Sequence, residues 1–341
     1  MRFSVGYQLP EEDEEPLTSI VADFVDHIGE VYFPWLDMPS GRSPMTGLDG
    51  CTDWGAQERV EGDLRTLKGM GVRLHLLLNA NCYGGESLSE ALANRVCSLV
   101  DHLTGTVGLD GVTTASLFVA HTLRRQFPDL DVRASVNMRI GTVRSAECVA
   151  DLFTSINLQR EWNRDPERIA EMRAWADAQG RALHVLANSG CLDHCPGQVF
   201  HDNLVAHEAQ IAQTVNVAGW NPMVCWRHLA ERGNWVALLR NSWIRPEDLG
   251  WYEGGFELVK LATRMHSNPR RVIQAYAEGA YAGNLLDLFE PSHGPLLAPY
   301  VLDNRRFPAD WWERTTACGK RCEGCGYCAG VLEQVLVGPG P

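Results

Sequence analysis

The residues best able to do chemistry in this chain of 341 residues are cysteines, and they fall into two groups. The first lies in the stretch LHVLANSGCLDHCPGQVFH, residues 183–201, where Cys191 and Cys195 have three residues between them. Thiolate ligands of iron–sulfur centres and of zinc commonly come in such close pairs, and a Gly-rich polar turn is a poor place to hide two inert thiols in a core. The second group is CGKRCEGCGYC: Cys318, Cys322, Cys325 and Cys328, with gaps of three, two and two residues and three interleaved glycines. Glycine lets backbone amides approach sulfur, so this loop can wrap a metal centre, either an iron–sulfur cluster or a structural zinc ion. A disulfide inside so short a loop would be strained.

The other cysteines are spread out: Cys51, Cys82, Cys97 and Cys148 stand alone, and Cys225 follows the central pair. The first three tail cysteines also share the C-x3-C-x2-C spacing of radical SAM enzymes, where it follows an early barrel strand; here it lies near the chain's end. Eleven cysteines without a leading export signal read as thiols or ligands before disulfides. Among the histidines, His194 and His201 are the two placed to donate a proton or to bind metal, whereas His184 falls in a strand and His207 in the following helix.

Something must carry these groups to one place, and the hydrophobic pattern says what. Short β-type runs over 2–7, 31–35, 72–78, 111–116, 132–137, 152–158, 183–188 and 256–263 alternate with helical spacings. Leu17, Ile20, Val21, Phe24 and Ile28 predict the first helix, with Gly29 as its stop. Ser87 and Glu90 predict a capping box, and Asp165-Pro166 and Asn268-Pro269 predict helix starts. Eight strands alternating with helices predict an α/β chain, a (β/α)8 TIM-like barrel over 1–289, with a Cys-rich C-terminal extension over 290–341; a doubly wound open sheet is the alternative. In such a barrel the C-terminal strand ends form the active face. That face would collect Asn188, Cys191 and Cys195 with Arg139, Arg160 and Arg264, whose guanidinium groups could hold a substrate carboxylate through paired hydrogen bonds.

Composition excludes some classes. Thirty basic against 43 acidic residues leave a net charge of −13, and no Lys/Arg block appears, which disfavours nucleic acid as a partner. The N-terminus reads as neither signal nor transit peptide, and no apolar run approaches membrane-spanning length, so a cytoplasmic protein with no membrane partner is expected. There is no G-x-S-x-G elbow, H-E-x-x-H or Walker sequence, and no strand-linked G-x-G-x-x-G.

Four segments in order, HLLLNANCYGG, VRASVNMRIGTVRSA, INLQREW and ELVKLATRMHSNPRRVIQAYAEG, resemble the collagenase-like peptidase family, family thirty-two of the unassigned peptidases. The resemblance implies a barrel and sets Arg160 and Glu161 on the family's Arg-Glu pair. Bacterial members bind a [4Fe-4S] cluster through cysteines and support oxygen-independent hydroxylation of a ubiquinone precursor or of RNA bases, with prephenate implicated as oxygen donor; the peptidase name rests on a few members. Cys191 and Cys195 fall on the family's central cluster cysteines. The Glu and Gly of its Glu-Gly-Arg signature are replaced by Ala262 and Thr263, and a later family cysteine would fall near 242–244, where this chain has none; Cys225 is the substitute ligand. The tail cysteines would supply a fourth ligand, hold a second cluster, or bind zinc.

The resemblance thus implies an iron–sulfur redox enzyme performing oxygen-independent hydroxylation, or a related oxygen or electron transfer, on a small molecule or peptide. The alternatives are a peptidase, or a non-catalytic iron–sulfur subunit paired with an electron donor or a second barrel protein.

Overall fold

Eight parallel strands close on themselves in the computed structural model, which describes residues 1–35, 38–40 and 53–338. They are β1 (Arg2–Gly6), β2 (Ile28–Phe33), β3 (Arg73–Leu78), β4 (Gly111–Thr114), β5 (Asp131–Ala134), β6 (Ser155–Asn157), β7 (Ala182–Leu186) and β8 (Leu258–Lys260). Arg2 pairs with Leu258 and Ser4 with Lys260, which seals the first strand to the last. Helices follow the strands and cover the outside, so this is a (β/α)8 TIM barrel rather than an open sheet.

The second strand starts earlier than the apolar pattern suggests. The helix Leu17–Asp23 ends at Phe24, and Ile28 and Gly29 belong to β2. Gly29 is needed for close approach and not for stopping a helix: a Cβ there would sit 2.6 Å from the Leu258 side chain across the barrel wall. Likewise Ser89, not Ser87, caps the helix Glu90–Val107, its side chain accepting from the Leu92 amide, while Ser87 bonds the Gly84 carbonyl. Asp165 and Asn268 cap their helices as expected. The long polar loop after the second strand, Cys51 included, lies largely outside the described residues.

The barrel interior carries charge. Arg133 on β5 grips Glu30 on β2 with two bonds, Nη1 to Oε1 at 2.7 Å and Nη2 to Oε2 at 2.9 Å. The Ser4 hydroxyl donates to the same carboxylate at 2.6 Å, and His75 Nδ1 lies 3.5 Å from it. Glu30, His75, Arg133 and His184 are all buried. An inward-facing polar layer of this kind is invisible in strands whose overall composition reads as apolar.

Residues after 289 return to the barrel. Ser189 and Glu290 form a parallel bridge, and β9 (Val301–Leu302) pairs antiparallel with β10 (Leu336–Val337). The buried Trp311 stacks on Trp243 at 5.7 Å and on Tyr327 at 6.2 Å. Arg164 slots its guanidinium over both indoles, 4.1 Å from the Trp243 ring and 5.0 Å from that of Trp311, and donates to the Trp243 carbonyl. Among the described residues no helix is long and apolar enough to cross a membrane.

Candidate functional site

A cavity of about 140 Å³ opens where the strands end. Strand ends supply Asn79, Asn137, Arg160, Ser189, Cys191 and Arg264, and the long connection between β7 and β8 supplies Cys195, Gln198, His201 and Cys225. A turn and a helix make this possible. Gly190 follows the bridge to Glu290, where a Cβ would meet the Pro291 carbonyl oxygen at 2.1 Å, so only glycine lets the chain pass to Cys191. The helix Val224–Leu229 then carries Cys225 back to the pair.

The three thiols act on one another. Burial, with Cys191 and Cys195 beside it, pushes the Cys225 thiol up to about 11. Arg160 is the buried countercharge, its Nη1 donating to Ser189 Oγ at 3.2 Å. Burial by itself would lower the Arg160 pKa, but Cys191, Glu161, Asp202 and Cys195 outweigh it and raise it, which keeps the guanidinium charged. Among the described residues, no three His, Cys, Asp or Glu side chains converge tightly enough to hold a single metal ion.

Lys260 of β8 and Tyr32 of β2 also line the cavity, the ammonium nitrogen 4.1 Å from the ring centroid. Enclosure by protein lowers the Lys260 pKa to about 7, with Arg133 and Arg264 pushing the same way and Glu30 and Glu290 opposing. Its partial exposure is to the cavity. Burial also raises the Tyr32 phenol, whose hydroxyl donates to the Leu261 carbonyl at 2.8 Å. Sequence reading missed Lys260, Tyr32 and Glu290 as cavity residues; the lone lysine inside the apolar run FELVKLA was the available signal.

The expected site residues do not all gather. Arg160, Arg264, His201, Cys191, Cys195 and Cys225 line the mouth cavity. Arg139 does not: in left-handed backbone at φ 56°, it reaches Glu161 at 3.5 Å and stays about one-third exposed. His194, also left-handed, is exposed and sets its ring edge to Trp162 at 5.9 Å. Asn188 sits at the expected strand end, but its amide is committed to backbone: it accepts from the Ala262 amide at 2.6 Å and donates to the Ala262 and Leu288 carbonyls. We correct its role to a stitch between β7, the residues after β8 and the return of the chain. Asn188→Ala is expected to cost about 3 kcal/mol by leaving buried backbone groups unpaired, measured by urea denaturation. A loss below about 1 kcal/mol would mean that water replaces the amide.

Cys318, Cys322, Cys325 and Cys328 line a different cavity, of about 750 Å³, which also takes in Cys195. Cys195 is therefore common to both walls.

No family model matches the chain. An uncharacterized protease of Methanocaldococcus jannaschii is 26% identical over 271 residues, which span 78% of this chain and 77% of that protein. The solved structure of a U32 peptidase superposes with a TM-score of 0.53 at 19% identity, covering 76% of this chain and 92% of the other, and establishes the fold. An endo-beta-1,4-mannanase from Thermotoga petrophila aligns at a TM-score of 0.40 and 10% identity, over 61% of this chain and 65% of its own, too weakly to bear on function. The chain thus resembles the collagenase-like U32 peptidases, in sequence over most of its length and in its barrel.

Proposed function

We propose that the cavity at the barrel mouth is an active site in which Cys191, Cys195 and Cys225 hold a [4Fe-4S] cluster, serving oxygen-independent hydroxylation or a related oxygen or electron transfer on a small molecule or peptide. The observation that carries this reading is that three mutually interacting thiols, from two segments of the β7–β8 connection, line one cavity together with the buried, charged Arg160. The donor set suits iron and sulfide better than a lone zinc ion. Zinc–sulfur bonds of about 2.3 Å would require ligands drawn tightly to a point, whereas a cluster is ringed by its thiolates and carries net negative charge that a fixed guanidinium offsets.

When bound, the cluster would supply one-electron chemistry or, at an iron without a protein thiolate, a Lewis acid. The chain's own groups do the rest. Arg264, whose Nη1 lies 3.5 Å from Ser40 Oγ, and Arg160 line the cavity as cations able to orient a carboxylate. Lys260 offers an amine that exchanges a proton near neutral pH at Nζ.

The test is anaerobic purification with iron, sulfide and zinc analysis and absorption spectra before and after dithionite, for the native chain and for Cys191→Ala/Cys195→Ala. The double variant is expected to lose about four irons and four sulfides per chain. Identical iron content in the two proteins, or no iron after reconstitution of the native chain, would overturn the reading.

The comparisons speak more directly for a second reading, a hydrolase of peptide bonds, because both similar proteins carry that name, a protease and a U32 peptidase. Lys260 suits it, since an amine of pKa about 7 is a competent general base. Peptide hydrolysis that survives in Cys191→Ala/Cys195→Ala without bound iron would select this reading over the first.

A further inference from the structure

A larger cavity neighbours the barrel mouth, about 750 Å³ against 140 Å³, and shares Cys195 with it. All four tail cysteines line it, together with Cys195. Five cations, Arg164, Arg240, Arg314, Lys320 and Arg321, also border it among neutral and apolar side chains, with Asp193, the partner of Lys320, as the one carboxylate in its lining among the described residues, in a chain whose net charge is −13. Five cations around one cavity of an acidic protein call for an anion, and four thiolates around metal provide one.

The tail loop is shaped and held for this. The Lys320 backbone N–H donates to Cys318 Sγ at 3.3 Å, the amide-to-sulfur bond that tunes and stabilises thiolate-bound iron. Lys320 then takes left-handed backbone, φ 53°, which turns the chain beyond that amide, and the Cys325 amide closes the next turn on the Cys322 carbonyl at 3.2 Å. The Lys320 ammonium then ties the loop to the barrel, donating to the Glu161 carbonyl at 2.9 Å and to Asp193 at 3.3 Å. Behind it, Tyr327 stacks on the buried Trp311. The loop is docked on the side of the molecule that carries the mouth thiols, with Cys195 between the two groups.

We infer that Cys318, Cys322, Cys325 and Cys328 hold a second iron–sulfur cluster, separate from the mouth site and adjacent to it through Cys195. Zinc is the competing occupant, and the thiols line a wide cavity without any three ligands among the described residues converging on one ion. This inference stands independently of the mouth cluster, because each thiol set can be emptied while the other remains.

The experiment uses the full chain purified anaerobically, with iron, sulfide and zinc counted per chain and the electron paramagnetic resonance spectrum of the dithionite-reduced protein recorded. Three proteins are compared: native, Cys322→Ala/Cys325→Ala, and Cys191→Ala/Cys195→Ala. The tail variant is expected to lose about four irons and four sulfides and one reduced-cluster signal, while keeping whatever iron the mouth variant loses. One zinc per chain that vanishes from the tail variant with iron unchanged would overturn the inference, as would loss of all iron, which means a single shared cluster. Unchanged metal content would overturn it too. Far-UV circular dichroism and the urea midpoint verify folding. Should the double variant fail that check, Cys325→Ala, at an exposed position and with no side-chain ligand atom, reads the iron loss instead.

Discussion

Lys260→Met is expected to raise stability at pH 7 by on the order of 2 kcal/mol while removing the titratable amine of the mouth cavity. The amine is enclosed by protein, with Arg133 and Arg264 adding repulsion, and its pKa falls to about 7 from an unfolded value near 10.4. Water reaching it from the cavity and the contact with the Tyr32 ring both moderate the penalty. The sign follows from proton counting. Between these two pKa values the unfolded chain holds the proton that the folded chain has released, so native stability climbs as pH rises from 7 toward 10, by up to about 1.4 kcal/mol per unit. The methionine variant lacks that climb. Urea denaturation of both proteins at pH 7, 8 and 9 measures it, and the gap should close at the highest pH. A variant less stable than native at pH 7, with an unchanged slope, would show that the ammonium is charged and well paired. If the chain hydrolyses peptides with Lys260 as base, the same variant loses about a hundredfold or more in rate.

Arg133→Met acts in the opposite direction, with an expected loss of about 3–5 kcal/mol. It leaves Glu30 in the barrel interior with the Ser4 hydroxyl and His75 but without its bidentate cation. Burial alone would raise the Glu30 pKa, yet Arg133 and His75 hold it well below the usual carboxylate range, so the native state depends on the charged form. That contribution is present above the unfolded carboxylate pKa and is lost as pH falls through the folded one. His184 adds to the acid sensitivity. Its pKa is pushed down to about 3 by burial and by Arg133, and neither ring nitrogen has a hydrogen-bond partner among the described residues. Below about pH 6.5 the unfolded chain takes up a proton that the folded imidazole refuses. Glu30→Gln/Arg133→Met should recover part of the single-variant loss, since the Glu30 charge leaves with its cation while Asp131, which also pairs with Arg133 at 2.9 Å, stays behind. Equal destabilisation of the single and double variants would mean that packing, not charge, sets the cost.

The barrel was legible because eight β-type runs separated by helical spacings leave few other topologies. The strand edges were less so. Ile28 fits a helix face as well as a strand, and only the contact of Gly29 with Leu258 across the wall, a long-range fact, decides it. At the site, the strand-end rule found Arg160, Arg264 and the cysteine pair, because position along a strand fixes which end of the barrel a residue occupies. It could not say where a side chain points after the strand: Arg139 and His194, both in left-handed backbone, do not line the cavity. Asn188 was in the right place and turned to backbone. Cys225 lies 30 residues from Cys195, too far for spacing to place it, and the folded connection brings it to the pair. The interior ion pair stayed hidden because inward polar residues on different strands, Glu30 and Arg133, are 103 positions apart.

The seam between β1 and β8 sets the order in which this molecule can be made. Residues 2–4 find their second partner only at 258–260, so most of the chain must leave the ribosome before the first strand is flanked on both sides. Until then β1 presents an open row of amides and carbonyls, the part of the nascent chain most exposed to pairing with a neighbouring molecule. The four tail thiols emerge later still, so any metal they take is delivered to a barrel whose last strand has already been synthesised.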